Sequence, residues 1–235
     1  MAKYRTAVIA CGIIGRVHAR GWLGVEGQPT EIAALADTNP DAQKEYGDFF
    51  GVGEEHCYGD YREMLDKEQP DFVDVCSWHQ MHAEMVIAAA ARRPKAILCQ
   101  KPMAVDLREA DDMLTACARN NVKLIIAYQR PHHAVWLKAR ELVREGVIGK
   151  ISQVQLACGG NLLNTNSHNI RLALFMMDEP QVEWVVGAVE RTTELVERGL
   201  PAEDACMGVA GCANGASILI MGNLVGGLGQ GCRII

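Results

Sequence analysis

A lysine stands where an apolar strand runs out in "AILCQKPMAVD" (residues 96–106). A charged head near a core loses water, so packing alone gives little reason for Lys101 to be there. Pro102 removes a backbone donor and drives Lys101 into an extended conformation, which fixes where the ammonium points. A lysine partly withdrawn from water beside a second positive centre has a lowered pKa and can take up or release a proton. The bland alternative is a surface lysine whose stem covers a loop.

A partner for such a group is written into the first turn. "VIACGIIG" supplies A-x-G-x-x-G, with Gly12 letting the backbone approach a pyrophosphate and Gly15 letting helix and strand pack closely. Ile13 and Ile14 fill the turn, whose helix N-terminus offers unpaired N–H groups to an anion. Ala10 stands where the fuller motif has its first glycine. Asp37 ends a second apolar run about 20 residues on, the spacing at which an acid meets the adenosine ribose. Its carboxylate suits the ribose hydroxyls of NAD and would repel the 2′-phosphate of NADP. Thr38 follows it, with no arginine adjacent.

Composition narrows the remaining classes. Of 235 residues 49% are hydrophobic, enough for a core, and 23 basic against 29 acidic residues give a net charge of −6. With no basic run, nucleic acid is excluded as the main partner. Nine cysteines without a C-x-x-C read as reduced thiols of a cytoplasmic protein. "MAKYRTAVIACGIIGRVHA" imitates a signal peptide, but its apolar run is short and the glycines have their own explanation. "GASILIMGNLVGGLG" is too short and glycine-rich to span a membrane. His79 and His82 make an H-x-x-H and His132 and His133 are adjacent, yet no cysteine pair or acid completes a zinc set, so no metal is expected.

These groups need elements to carry them. "RTAVIA", "EIAALAD", "DFVDVCS", "KAILCQ" and "VKLIIAY" read as strands. Between them lie helical runs such as "IIGRVHARGWLG", "TNPDAQKEYGDFF", "HQMHAEMVIAAAARR" and "DLREADDMLTACARNN". Repeated strand then helix predicts an α/β fold, a Rossmann-type doubly wound parallel sheet over residues 1–128. After the helix "HHAVWLKARELVREG" the rhythm changes. "KISQVQLACGG", "QVEWVVGAVER", "DACMGVAGCA" and "GASILIMG" are strand-like and "SHNIRLALFMM" helical, which predicts an antiparallel α+β open-sheet domain over 129–235.

The glycine turn, "LADTNP", "CSWHQMHAEMVIAAA", "LCQKPMAVD", "AYQRPHHAVWLKARELVREGVIGKI" and "NLLNTNSHNI", in that order, resemble the Gfo/Idh/MocA family over nearly the whole chain. The resemblance implies a nicotinamide-binding Rossmann domain, an open-sheet second domain and a substrate at their junction, with oxidation or reduction of a sugar, cyclitol or related polyol. It puts Lys101 on the lysine of a Glu-Lys-Pro motif, with Gln100 for the glutamate. Ser77 and Trp78 fall beside the cofactor and His82 on the family's usual histidine. His168 falls on the catalytic histidine, with Asn164 one turn earlier in place of an acid and Arg171 three residues later in place of another. Lys101, His168 and Asn164 are then the catalytic candidates. Arg130 joins them on the substrate, with a solvated helix start as its alternative, and Gln129 joins the cofactor set.

The part from residue 151 onward is short for such a domain, and reads as a fragment or a shortened member. The strand-like segments of 204–235 are apolar with few helices to cover them, which predicts a homo-oligomer through the sheet. Two other functions stay open at this point: a glycosidase using NAD transiently, and a dinucleotide-binding protein without catalysis.

Overall fold

The computed structural model describes residues 3–27, 29–224 and 231–235. The run 225–230, part of the stretch expected to be strand, lies outside the described residues. The chain divides into two compact units, Met1–Ala127 and Tyr128–Ile235.

In the first unit β1 (Tyr4–Ile9), β2 (Thr30–Ala36), β3 (Cys57–Tyr58), β4 (Phe72–Val75), β5 (Ala96–Cys99) and β6 (Lys123–Ile126) form one sheet. Its order is β3-β2-β1-β4-β5-β6, and every pairing is parallel. Alternation along β1 explains the layers. Ala7 and Ile9 face a core completed by α3 (Tyr61–Glu68), α4 (His82–Ala90) and α5 (Leu107–Arg119). Val8 faces the other way, against α1 (Ile13–Leu23) and α2 (Pro40–Phe50) through Ala19 and Tyr46. Strand order reverses direction between β1 and β4, the place where such sheets leave a crevice at their carboxyl ends.

The helix starts follow from local chemistry. Asn39 caps α2 by accepting the Asp41 N–H at 3.0 Å, with Pro40 in the first turn. Asp60 caps α3 and Asp106 caps α5 in the same way. β3 and α3 were not anticipated from sequence. A two-residue strand has no period to detect, and "YREMLDKE" is mostly charged, with Met64 and Leu65 as its fully buried anchors.

The second unit opens with α6 (Ala134–Arg144) and carries a sheet of order β13-β7-β12-β11-β8. Its strands are β7 (Gln153–Cys158), β8 (Val182–Glu190), β11 (Ala205–Cys212), β12 (Ser217–Gly222) and β13 (Gly231–Ile234); β9 (Val196–Glu197) and β10 (Leu200–Pro201) pair separately. The expectation of an antiparallel sheet needs correction: β7 and β12 run parallel. The chain leaves β7 through α7 (Ser167–Met176) and four further strands, β8 to β11, before β12 returns beside it, and that crossover permits the parallel pair. Ala173 and Met177 cover one face of this sheet, while Leu172, Phe175 and Met176 pack on Trp136 and Val143 of α6. All of β8 is exposed, and Trp184 lies over Gly211, where a Cβ would come within 2.1 Å of the ring.

The turn between β1 and α1 is the tightest point of the first unit. A Cβ on Gly15 would lie 2.4 Å from the Ala10 carbonyl oxygen, so only glycine lets the helix sit this close to the strand end. Ala10 itself has φ of 74°, the left-handed region, at the position where the fuller motif uses glycine. Gly15→Ala should therefore cost about 1–3 kcal/mol, because the obstacle is backbone. Ala10→Gly should be neutral to slightly stabilising, with about 1–2 kcal/mol of relieved backbone strain set against ~0.4–1 kcal/mol of added unfolded-state entropy. Urea denaturation of both variants measures this; a tolerated Gly15→Ala or a damaging Ala10→Gly contradicts it.

Candidate active site

A cavity of about 680 Å³ opens at the carboxyl ends of β1, β2 and β4. Gly12, Asp37, Thr38, Ser77 and Trp78 line it together, so five of the residues singled out in the sequence converge on one space. Nothing lies within 4 Å of the place where a Cβ on Gly12 would stand, which leaves the backbone there open to a bulky anion. Ile13, Ile14 and Gly15 form the first turn of the helix behind Gly12; Ile13 is 83% exposed and Gly15 is buried. Tyr61, Gln80, Met81 and Met85 also line the cavity. Tyr61 escaped notice with the helix it begins, and the others carried no polar pattern.

Asp37 is held from both sides. One carboxylate oxygen accepts the Cys11 N–H at 2.8 Å and the other the Asn39 N–H at 2.9 Å. Each oxygen keeps a further lone pair for a ligand hydroxyl. Arg16, in the first turn of α1, is engaged with Glu45 at 2.7 Å. The rim thus presents a fixed negative charge over an apolar floor, and Trp78, 60% exposed, offers a ring face at the same mouth.

The next strand end carries the lysine. Gln100 is buried and its N–H reaches the Val75 carbonyl at 2.9 Å, binding the end of β5 to β4. Its side-chain oxygen accepts the Lys101 N–H at 2.7 Å. The Lys101–Pro102 peptide is cis. His82, fully buried, lies 2.9 Å through Nδ1 from the Pro102 carbonyl and 3.0 Å through Nε2 from that of Ser77, so the ring sits between the loops after β4 and β5 and, when neutral, donates to one of the two carbonyls. His82, Gln100 and Lys101 do not line the cavity; they stand at the strand end beside it.

Beneath this edge lies a cluster that sequence reasoning missed. Asp74 on β4 is fully buried and takes the Trp22 indole N–H at 2.8 Å, with His18 Nδ1 at 2.9 Å and the Cys76 thiol at 3.3 Å. The His18, Asp74 and Cys76 donor atoms lie within 4.8 Å of one another, as a metal set would. Three groups fall short of a closed tetrahedral site, and the carboxylate is already occupied by donors. Burial, and then the Asp74 charge, push the Cys76 thiol well above its ordinary range, so it acts here as a donor. The H-x-x-x-W spacing of His18 and Trp22, one helical turn, was the available signal.

In the second unit Asn161 caps a π-helix over Leu162–Asn166, accepting the Asn164 N–H at 2.9 Å, and α7 follows directly. That segment presents Asn164 and His168, both buried. The Asn164 amide donates to Glu197 of β9, so a carboxylate does stand beside it, supplied from elsewhere in the chain. Glu197 was not anticipated. Tyr128 meets His168 edge-on at 5.8 Å. Arg130 donates to Asn169 at 2.5 Å, and Arg171 is engaged with Glu179 at 2.6 Å. Gln129 is exposed at the start of the short turn Arg130–His132, and His132 and His133 are exposed.

The buried His82 ring has a pH consequence. Burial lowers its pKa, against the raising effect of the backbone carbonyls it faces. A histidine whose folded pKa lies below its unfolded value of about 6.5 leaves the unfolded state binding more protons, so stability rises with pH through that window. Melting temperature should fall on acidification below about pH 6.5, and His82→Asn should flatten that slope. An unchanged slope in the variant contradicts the assignment.

Residues 4–128 match the model of an oxidoreductase family with an NAD-binding Rossmann fold, Gfo/Idh/MocA. The chain is 36% identical over 148 residues to a D-apiose dehydrogenase from Paraburkholderia graminis, covering 63% of this chain and 38% of that protein. It is 28% identical over 189 residues to a myo-inositol 2-dehydrogenase from Thermotoga maritima, covering 74% and 55%. It therefore spans 38% and 55% of the lengths of these two relatives. An inositol dehydrogenase homologue from Azotobacter vinelandii, complexed with NAD+, superposes with a TM-score of 0.82 over 99% of this chain and 68% of that one, at 21% identity, which speaks to the fold. With a family match covering the glycine turn, the Asp37 strand end and the Lys101 edge, the chain belongs to the Gfo/Idh/MocA oxidoreductase family.

Proposed function

We propose that this protein is an NAD-dependent oxidoreductase that moves a hydride between the nicotinamide and a hydroxyl-bearing carbon of a sugar, cyclitol or related polyol. The observation that carries it is the cavity lined by Gly12 and Asp37 with Lys101 anchored at the strand end beside it. Relatives named for D-apiose and myo-inositol support the substrate class. When bound, NAD supplies the hydride acceptor. Gly12 and the start of α1 hold the pyrophosphate, Asp37 the adenosine ribose, and Trp78 covers an apolar ring. Lys101 takes the hydroxyl proton, and His168 is the second unit's candidate for proton transfer, with Asn164, which donates to Glu197, one turn before it. The nine free cysteines fit a reducing compartment such as the cytoplasm. Among the described residues no helix is long and apolar enough to cross a membrane.

A second reading, a dinucleotide-binding protein without catalysis, draws on Asn164 and Arg171, since Arg171 is spent on Glu179. Titration with NADH and NADPH, and absorbance of NADH formed from NAD with a polyol panel, separates the two. NADH should bind more tightly than NADPH, and Asp37→Ser should narrow the gap. Lys101→Ala should cut turnover by at least ~10²-fold with NADH affinity within a few-fold. Equal NADPH binding sinks the cofactor assignment, and unchanged turnover in Lys101→Ala sinks the role of the lysine. Binding with no turnover of any polyol favours the second reading.

The same reading includes self-association through the second unit's sheet. Trp184, Val185, Val186 and Val189 are each more than half exposed, and they point to both faces of an edge strand. Light scattering over a concentration series should give a mass above that of one chain; a monomer at every concentration counts against it.

A further inference from the structure

We propose that Asp74, His18 and Gln100 form a hydrogen-bonded chain of fixed polarity that positions Lys101, and that this chain demands glutamine at position 100. The proposal rests on Lys101 being the proton-transferring group.

The polarity follows from the end whose chemistry leaves no choice. The Lys101 backbone N–H can only donate, and it meets the Gln100 side chain at 2.7 Å, so the amide oxygen must face it. The amide nitrogen is thereby turned the other way, where it lies 3.1 Å from His18 Nε2. An amide nitrogen only donates, so His18 Nε2 must carry a lone pair and the ring proton must sit on Nδ1. Nδ1 in turn lies 2.9 and 3.1 Å from the two oxygens of Asp74. The Trp22 indole and the Cys76 thiol also donate to that carboxylate, which therefore accepts on every side. Ionised aspartate, neutral imidazole, amide and backbone N–H form one series, and no member can be reversed alone.

A carboxylate at position 100 breaks the series. Glutamate would set lone pairs against the bare His18 Nε2, and moving the ring proton to Nε2 would set a bare Nδ1 against Asp74. Only a second proton shared by the ring and the new carboxylate restores both contacts. The opposite holds for the native chain. A second proton on His18 would point N–H at the Gln100 amide N–H, forcing the amide over and leaving the Lys101 N–H facing a donor. The groups facing His18 are Asp74 from β4, Cys76 just beyond it at 3.4 Å, Gln100 from the end of β5, and Trp22 of its own helix through Asp74. His18, Trp22 and Gln100 are therefore positioning residues, acting through the backbone of Lys101.

The test compares wild type, Gln100→Glu and Gln100→Ala in full-length chain. Turnover of NAD with a responding polyol is measured across a series from acidic to basic pH. NADH affinity and the nitrogen-15 shifts of the His18 ring are measured alongside. In active wild type the His18 ring should carry its single proton on Nδ1, and kcat should fall once acidification adds a second. Gln100→Glu should lose roughly tenfold in kcat at high pH and regain it on acidification, so its profile slopes the opposite way, with KM and NADH affinity within a few-fold. Gln100→Ala should lose kcat across the range without recovery. A merely structural role would lower both variants alike at every pH, and that result overturns the proposal. So does a His18 ring protonated on Nε2, or a Gln100→Glu variant that behaves as wild type. If wild type turns over no polyol, the oxidoreductase reading fails; the ring shifts, with a Lys101 amide shift that becomes pH-dependent in Gln100→Glu, then still decide the chain by themselves.

Discussion

Asp74 has no exposed surface, and a carboxylate in that position is tolerable only because donors from three directions reach it. Stranding such a group by removing its partners costs on the order of 3–5 kcal/mol. That constraint reaches far beyond β4. His18 and Trp22 tie α1 to the sheet, so the helix whose first turn meets the cavity is fixed in height. His18 then passes the constraint to Gln100, and Gln100 to the backbone of Lys101. One buried carboxylate therefore ties both the glycine turn and the lysine at the neighbouring strand end.

The parallel sheet explains why these groups share an edge at all. All of its strands point one way, so every loop that leaves a carboxyl end opens on the same side. Gly15 lets α1 approach until its place for a Cβ is 2.4 Å from the Ala10 carbonyl, and Tyr46 of α2 closes the back by donating to the Gly15 carbonyl at 3.1 Å. His82 then fills the space between the loops after β4 and β5, facing a carbonyl of each. The cavity is bounded on one side by the backbone of the glycine turn and on the other by the side chains of Trp78, Met81 and Met85. That suits a ligand recognised through its phosphates and ribose.

Much of the first unit was legible in the sequence because its signals are local. The glycine turn, the acid closing β2 and the Pro40 helix start each announce themselves within a few residues. Lys101 was legible for the same reason, through Pro102. What escaped depends on distant partners or on weak period. β3 is too short to alternate, and α3 is too charged to reveal its buried Met64 and Leu65. Glu197 lies far along the chain from Asn164, and only folding brings its carboxylate to that amide. The Asp74 cluster was hidden because an aspartate inside "FVDV" looks like a break in an apolar strand until His18 and Trp22 arrive from α1. The parallel pairing of β7 with β12 was missed for a related reason: alternation predicts a strand but not its direction.

The central claim is that the cavity at the carboxyl ends of β1, β2 and β4 holds a dinucleotide whose ribose is read by Asp37. A crystal structure of the chain saturated with NAD+ tests it most directly. The pyrophosphate should lie over Gly12 at the start of α1, with both adenosine ribose hydroxyls within hydrogen-bond distance of the Asp37 carboxylate. A cavity free of dinucleotide at saturation, or a dinucleotide bound with its ribose away from Asp37, would contradict it.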